Sequence, residues 1–255
     1  MNLMSLFFGM LSLVFMYKVA YILTKSKVFS LIPVFTMAFT FSFWSQSTEA
    51  EVYTLNSFFL TFTLYNFLMF YQEKKRIYLY VGILFYAISF GNHLSMLFLL
   101  PGLVYVIYIT DKLIFKDIKV WIFSFVSVVL GASEYLYIWG RFKDYYNENL
   151  NAIWKEGEVY EYVKNSKSVY DAFFSYITGG QFKQELFQGF QYNITLFPKI
   201  FGGEFFLNTD SFFGYVVVMF LITTLIVFLF YGLFYFKKIV IYAFYIVFVS
   251  YSTFI

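Results

Sequence analysis

The stretch NLMSLFFGMLSLVFMYKVAYILTKSK, residues 2–27, is an apolar run interrupted only by Lys18 and closed by Lys25 and Lys27. A helix needs about 20 apolar residues to cross a bilayer core, and this run supplies them. It is not a cleavable signal peptide, because it has no basic leading region and no small-residue cleavage site. The rest of the 255-residue chain repeats the pattern: 61% of residues are hydrophobic and 13% are charged. A soluble domain would be nearer a quarter charged, so the composition predicts an all-α integral membrane protein. Cysteine is absent, which excludes disulfides, thiolate nucleophiles and Cys-ligated metals. The small net positive charge says nothing of nucleic acid, since the basic residues flank apolar runs.

Working outward, the apolar runs predict a polytopic bundle of about eight spans, at 3–24, 28–44, 54–71, 77–91, 93–110, 118–138, 213–236 and 239–255. Pro33 is expected in the first turn of the second span, Pro101 as a kink inside the fifth, and Gly91-Asn92 as a tight turn between the fourth and fifth. Basic residues fall in alternate connections: Lys25 and Lys27; Lys74, Lys75 and Arg76; Lys112, Lys116 and Lys119; Lys237 and Lys238. The short connections around Glu49 and Asn92 hold no Lys or Arg. The positive-inside rule then puts the basic set in the cytoplasm and the others on the outer face. Three regions are expected: six spans over 1–138, an outer-face loop over 139–212, and two further spans over 213–255. The loop segments VYEYVKNSKSVYDAFFSYI and FKQELFQGFQYNITLF are expected to be amphipathic helices lying on the membrane. Asn193-Ile194-Thr195 fits a glycosylation triplet, a pattern common by chance. Both ends stop inside apolar runs, so the chain is expected to be a piece of a longer protein. Richness in Phe, Tyr, Ile, Asn and Lys favours an AT-rich bacterial genome, hence an inner membrane rather than an endoplasmic reticulum.

Chemistry concentrates in FWSQSTEAEVYTLN, residues 43–56, which places Glu49 and Glu51 among hydroxyl and amide side chains at a membrane surface. If 44–56 were one helix, the two acids would point roughly 200° apart. Glu51 would then share a face with Ser47, Thr48 and Thr54, and Glu49 with Ser45, Gln46 and Tyr53. The plain alternative is an acidic helix start favoured by the helix dipole. Asn92 and His93, the single histidine, are expected on the same membrane face, as a donor pair at a helix N-terminus suited to a phosphate or as a simple cap and interfacial residue. His93 with Glu51 could contribute to a divalent metal site, though a lone His does not make one. Glu134 is expected to face the bundle or a wet cavity, or to pair with Arg141 or Lys143. Tyr135, Tyr137 and Trp139 read as an interfacial belt. Lys18 is expected to snorkel to the cytoplasmic edge. Phosphate-cradling loops, HExxH and nucleophile elbows are missing from the sequence.

Taken together, FWSQSTEAEVYTLNSFF, SFGNHLSMLFLLPGL and SEYLYIWGR resemble the membrane family catalogued as domain of unknown function 2723, with the opening run similar to one of its early spans. The resemblance covers nearly all of 2–142 and weakens through the loop. It implies the GT-C glycosyltransferase fold, shared with an animal endoplasmic-reticulum protein O-mannosyltransferase, and transfer of a sugar from a polyprenyl-phosphate donor to a protein or glycan hydroxyl on the outer face. By matching position it implies roles for Trp44, Gln46, Glu51, Tyr53 and Asn56, for Gly91, Asn92 and His93, and for Tyr135, Tyr137 and Arg141. Glu51, with Glu49 second, is expected to act as base or positioning carboxylate. Trp44, Gln46, Tyr53, Asn56, Asn92, His93, Tyr137 and Arg141 are expected to bind substrate, with His93, Asn92 and Arg141 on the leaving phosphate. The family's acid-bearing first outer loop, an Asp-x-Gly-Glu motif, does not occur ahead of these blocks, so the chain is expected to carry part of an active site. The block Ile138-Trp139-Gly140-Arg141 only approximates the family's continuation. The competing expectations are a transporter or flippase of lipid-linked glycans, and a non-catalytic membrane scaffold.

Overall fold

In a computed structural model the described residues are 3–49, 52–148 and 167–177, and all their regular elements are helical. They fall into two compact units, one ending at Gly131 and the other beginning at Ala132. In chain order the helices are α1 (Leu3–Thr24), α2 (Leu31–Ala38), α3 (Phe41–Thr48), α4 (Tyr53–Glu73) and α5 (Arg76–Asn92), then α6 (Leu100–Asp111), α7 (Ile118–Glu148) and α8 (Val169–Ile177). Short 3₁₀ turns at Leu94–Leu99 and Lys112–Lys116 flank α6. The expected spans seven and eight, most of the 139–212 loop and the Asn193 triplet lie outside the described residues.

The first unit is built on α1 and α4. Phe15 of α1 sits edge-on to Phe62 with centroids 4.7 Å apart and near Tyr65 at 5.4 Å, while Lys25 Nζ donates to Gln72 Oε1 at 3.1 Å. Partners advance together along both helices, so α1 and α4 run parallel. Close approach is possible because the side of α1 turned inward is small: Ser5, Gly9, Ser12 and Ala20 are buried. Leu3, Phe7, Met10 and Val14 are exposed instead. Helix α4 turns inward its Thr54, Asn56, Thr61, Thr63 and Asn66, with phenylalanines between them. This is the arrangement of helices in lipid, where small and polar residues make the helix contacts and large apolar ones face the hydrocarbon. Two helices, Leu3–Thr24 and Ile118–Gly140, are long and apolar enough to cross a membrane. Only about a fifth and a tenth of their apolar windows are buried, so they are not core helices of a soluble domain. The chain is a helical membrane protein.

Lys74, in the left-handed region at φ 56°, ends α4 and turns the chain into α5. The two pack through Phe62 against Phe85, centroids 4.5 Å apart. Arg76 at the start of α5 donates to the Asp117 carboxylate, fixing the basic end. Helix α7 touches α5 where Gly131 meets the Ala87 carbonyl.

Three expectations are corrected. The second span is not one helix: Thr40 is extended at φ −73°, ψ 143° and divides it into α2 and α3. Eight residues cover roughly 12 Å, short of the roughly 30 Å hydrocarbon core. Gly91-Asn92 is not the turn; both remain helical and His93 is the extended residue, at φ −157°. Pro101 does not kink a helix but lies in the first turn of α6, where its missing N–H has no intrahelical partner to lose.

In the second unit, Ser168 accepts the Asp171 N–H at 3.2 Å and Asp171 accepts the Lys167 N–H at 3.2 Å, a reciprocal cap that starts α8. Trp139 stacks on Tyr170 at 5.1 Å and meets Phe173 edge-on at 4.9 Å.

Candidate functional site

The polar residues of the 43–56 stretch gather at the end of the first unit opposite the basic connections. Helix α3 stops at Thr48, and Glu49 is extended at φ −94°, ψ 163°. One helix through 44–56 therefore does not exist, and the 200° separation of the two acids does not apply. Glu49 is exposed and accepts the Ser45 hydroxyl at 3.2 Å. Glu51 lies outside the described residues. Trp44 is 63% exposed, on the outer side of α3.

What joins this stretch to the rest is α1 and the end of α5. Ser12, fully buried in α1, donates to the Phe8 carbonyl at 2.7 Å and to the Thr54 carbonyl at 3.3 Å. Gly9 lies against Ser47, where an added Cβ would sit 3.0 Å from the hydroxyl oxygen. Asn92 Nδ2 donates to the Val52 carbonyl at 3.2 Å, and the same carbonyl takes the Asn56 N–H at 3.0 Å. The Tyr53 and His93 rings lie 5.9 Å apart at 45°. The two segments that the sequence puts on one face, 36 residues or more apart in the chain, thus meet in space.

Three buried polar atoms here have no hydrogen-bond partner among the described residues: Gln46 Oε1, Thr54 Oγ1 and Asn56 Oδ1. Thr54 and Asn56 are each 1% exposed. A buried acceptor left unpaired costs about 1–3 kcal/mol, so a set of them at one end of a bundle marks a place for a donor. The amide oxygens accept only. The Thr54 hydroxyl can accept or donate, so the set as a whole can take hydrogen bonds from hydroxyl groups.

His93 is not at the N-terminus of an α-helix. It follows the C-terminal end of α5, and its own N–H donates to the Ser89 carbonyl at 3.0 Å. The dipole at that end is negative, so an anion gains nothing from it. Burial in the turn outside the helices pushes the His93 imidazolium below its usual range, toward the neutral form. Among the described residues no three His, Asp or Glu side chains come together as a metal set.

Tyr137 and Arg141 belong to the second unit, and α7 carries both. Tyr137 is 72% exposed. Glu134, expected to face the bundle, is exposed.

Sequence reasoning missed Ser12 and Gly9. The signal was present as small residues at positions 5, 9 and 12, a four-then-three spacing that closes one side of a helix for tight packing.

Residues 1–114 match the family described as Protein O-mannosyl-transferase TMEM260 N-terminal domain. The match takes in every element from α1 to the end of α6, and with them the polar end of the first unit. No curated protein and no solved structure matches the chain.

Proposed function

We propose that this is a glycosyltransferase of the membrane, moving a sugar from a polyprenyl-phosphate donor to a hydroxyl of a protein or glycan on the outer face. The observation that carries it is the polar end of the first unit, where unpaired acceptors from Gln46, Thr54 and Asn56 gather beside the Tyr53–His93 pair. The similarity of residues 1–114 to an O-mannosyl-transferase N-terminal domain supplies the reaction class and favours mannose as the sugar. The wider eight-span, GT-C-like architecture with an outer loop, and the placement in a bacterial inner membrane, belong to the same proposal.

In the reaction the acceptor oxygen forms a bond to the anomeric carbon. The bond from that carbon to the phosphate oxygen breaks, and polyprenyl phosphate leaves. The acceptor's proton passes to a carboxylate, for which Glu51 is nominated and Glu49 is second. Gln46, Thr54 and Asn56 accept hydrogen bonds from sugar hydroxyls. Trp44, exposed beside them, offers a face for the sugar ring or the lipid. Neutral His93 orients through its ring contact with Tyr53, and Asn92 holds the start of α4 rather than the phosphate. For the leaving phosphate the family resemblance nominates Arg141, with Tyr137 four residues before it on α7. A divalent metal involving Glu51 and His93 is compatible with the chemistry but is not required by it.

One observation favours a second reading. Thr63 Oγ1 and Tyr86 OH are buried without a partner among the described residues, midway along α4 and toward the outer half of α5. Unpaired polar groups at membrane depth suit a transporter or flippase of lipid-linked glycans.

The experiment is transfer of mannose from polyprenyl-phosphate mannose to a Ser/Thr peptide by the purified chain in liposomes, with Glu51→Gln beside it. Loss of a general base lowers the rate by about 10²–10⁴. Undiminished transfer by Glu51→Gln at normal expression removes Glu51 from the mechanism. Donor movement across the bilayer without transfer selects the flippase.

A further inference from the structure

The opposite end of the same helix pair carries a second site. At the basic end of α1 and α4 the structure has a cleft of about 260 Å³, lined by Lys18, Ile22 and Lys25 of the α1 side and by Tyr65, Met69 and Gln72 of α4. Two features set it apart from an ordinary membrane edge.

The first is where Lys18 points. Its Nζ lies 4.8 Å from the Phe15 ring centroid and 5.3 Å from that of Tyr65. Phe15 is nearly a turn before Lys18, so the amine lies back along α1 over two aromatic faces while the side chain stays exposed. It does not snorkel toward the helix end, as the sequence led us to expect. Counting residues to Thr24, the Lys18 Cα is roughly 9 Å below the end of α1. The second feature is charge. Among the described residues no carboxylate lines the cleft. Lys25 makes its bond to the neutral Gln72 amide. Glu73, next to Gln72 in sequence, is held by Lys75 at 2.7 Å on the exposed surface. Two ammonium groups therefore bracket the cleft along its length with no counter-ion in its walls.

Cation–π contact leaves the charge of an ammonium unneutralised. What neutralises it is an anion, and the surroundings say which kind. The walls between the two lysines are the apolar side chains of Ile22 and Met69, with the rings of Tyr17, Tyr21 and Tyr65 around them. An occupant with an anionic head and an apolar body fits both. We infer that this cleft binds an anionic phospholipid of the basic-side leaflet, its headgroup phosphate between Lys18 and Lys25 and an acyl chain along Ile22 and Met69. Basic pockets between membrane helices on the cytoplasmic side hold such headgroups. The inference is independent of the transfer activity, which lies at the other end of the helices.

The test is native mass spectrometry of the purified full chain. It is released from mixed micelles holding equal phosphatidylglycerol and phosphatidylcholine, and the bound lipid is counted. A thermal-shift series follows with each lipid and with inorganic phosphate. The wild type is expected to retain phosphatidylglycerol selectively and to be stabilised by it. Lys18→Gln and Lys25→Gln should each weaken retention roughly fivefold, as expected for one basic contact to a lipid surface. Lys18→Arg restores it, and Lys27→Gln, outside the cleft, leaves it unchanged. Lys25 lies beyond the end of α1, so its variant carries the test if Lys18→Gln does not fold. Equal retention by wild type and Lys25→Gln overturns the site. So does a loss with Lys27→Gln as large as with Lys25→Gln, which means a general basic surface. Stabilisation by inorganic phosphate equal to that by phosphatidylglycerol overturns the lipid as occupant.

Discussion

Three buried glycines let helices touch in the first unit, and what an added methyl group would meet differs at each. At Gly9 a Cβ would sit 3.0 Å from the Ser47 hydroxyl, the tip of a side chain that can rotate. At Gly82 it would lie 2.7 Å and 2.8 Å from two ring carbons of Phe67. That ring is itself buried among the core phenylalanines, so it yields only by pushing them. At Gly131 it would enter the Ala87 peptide, 2.7 Å from the carbonyl carbon and closer still to the oxygen. A backbone cannot swing aside; to restore a contact of about 3.5 Å, α5 and α7 must part by roughly 1 Å. Overpacking costs about 1–3 kcal/mol, while the gain in helix propensity from Gly to Ala, up to about 1 kcal/mol, is shared by all three. The net expectation is Gly9→Ala near zero, Gly82→Ala about 1 kcal/mol less stable, and Gly131→Ala about 2 kcal/mol less stable. For a chain of this size the last is a fall of roughly 4–8 °C in melting midpoint. The assay is thermal unfolding in detergent, followed by tryptophan fluorescence. A Gly131→Ala protein as stable as the wild type, or less damaged than Gly9→Ala, refutes the close crossing of α5 and α7.

Asn56→Leu removes a buried acceptor that has no partner, so it is expected to leave stability unchanged or raise it by about 1 kcal/mol, while sugar transfer falls at least about tenfold. A clear loss of stability means that Asn56 is a satisfied core amide. His93 is held toward its neutral form by burial, so the unfolded chain binds a proton first as pH drops. Stability is then full above about pH 6.5 and declines below it. His93→Gln should flatten that decline, and an unchanged slope between pH 7 and 5 counts against the assignment. Asp117 behaves oppositely in cause and alike in direction: the Arg76 hydrogen bond, followed by the Lys119 backbone N–H, holds its carboxyl below the usual range. Its contribution is present above about pH 4 and lost as acid protonates the folded form. Asp117→Asn should therefore be less stable at neutral pH and converge on the wild type in acid.

Much of this architecture could be read from the chain. Helices α1, α4 and α5 lie where apolar runs bounded by lysine and arginine put them, because in lipid the length of a run is itself the signal. The division of residues 28–44 was not legible, since its composition is as apolar as its neighbours. The break comes from hydroxyl side chains bonding back to their own helix: Thr36 to the Ile32 carbonyl at 2.9 Å, and Thr40 to that of Met37 at 2.9 Å. Such bonds offer the backbone an alternative to the next helical turn. Gly91-Asn92 misled because turn propensity belongs to residue types, whereas Asn92 is held by a contact 40 residues away in sequence, the Val52 carbonyl.

The meaning of Glu49 changes most with that geometry. As the start of a helix, an acid needs no function, because the positive end of the dipole favours it. The structure puts Glu49 instead at the C-terminal cap of α3, where the dipole is negative and a carboxylate is disfavoured. Its exposure and its bond to Ser45 limit that cost without turning it into a gain. Local helix stability therefore gives no reason for the acid. Nor does burial, since its side chain is exposed. In the proposed reading the reason comes from what approaches the polar end from outside. The acceptors of Gln46, Thr54 and Asn56 point to the same requirement. An exposed carboxylate and a set of buried, unpaired oxygens both seek hydrogen-bond donors, and a sugar or a hydroxyl acceptor supplies them.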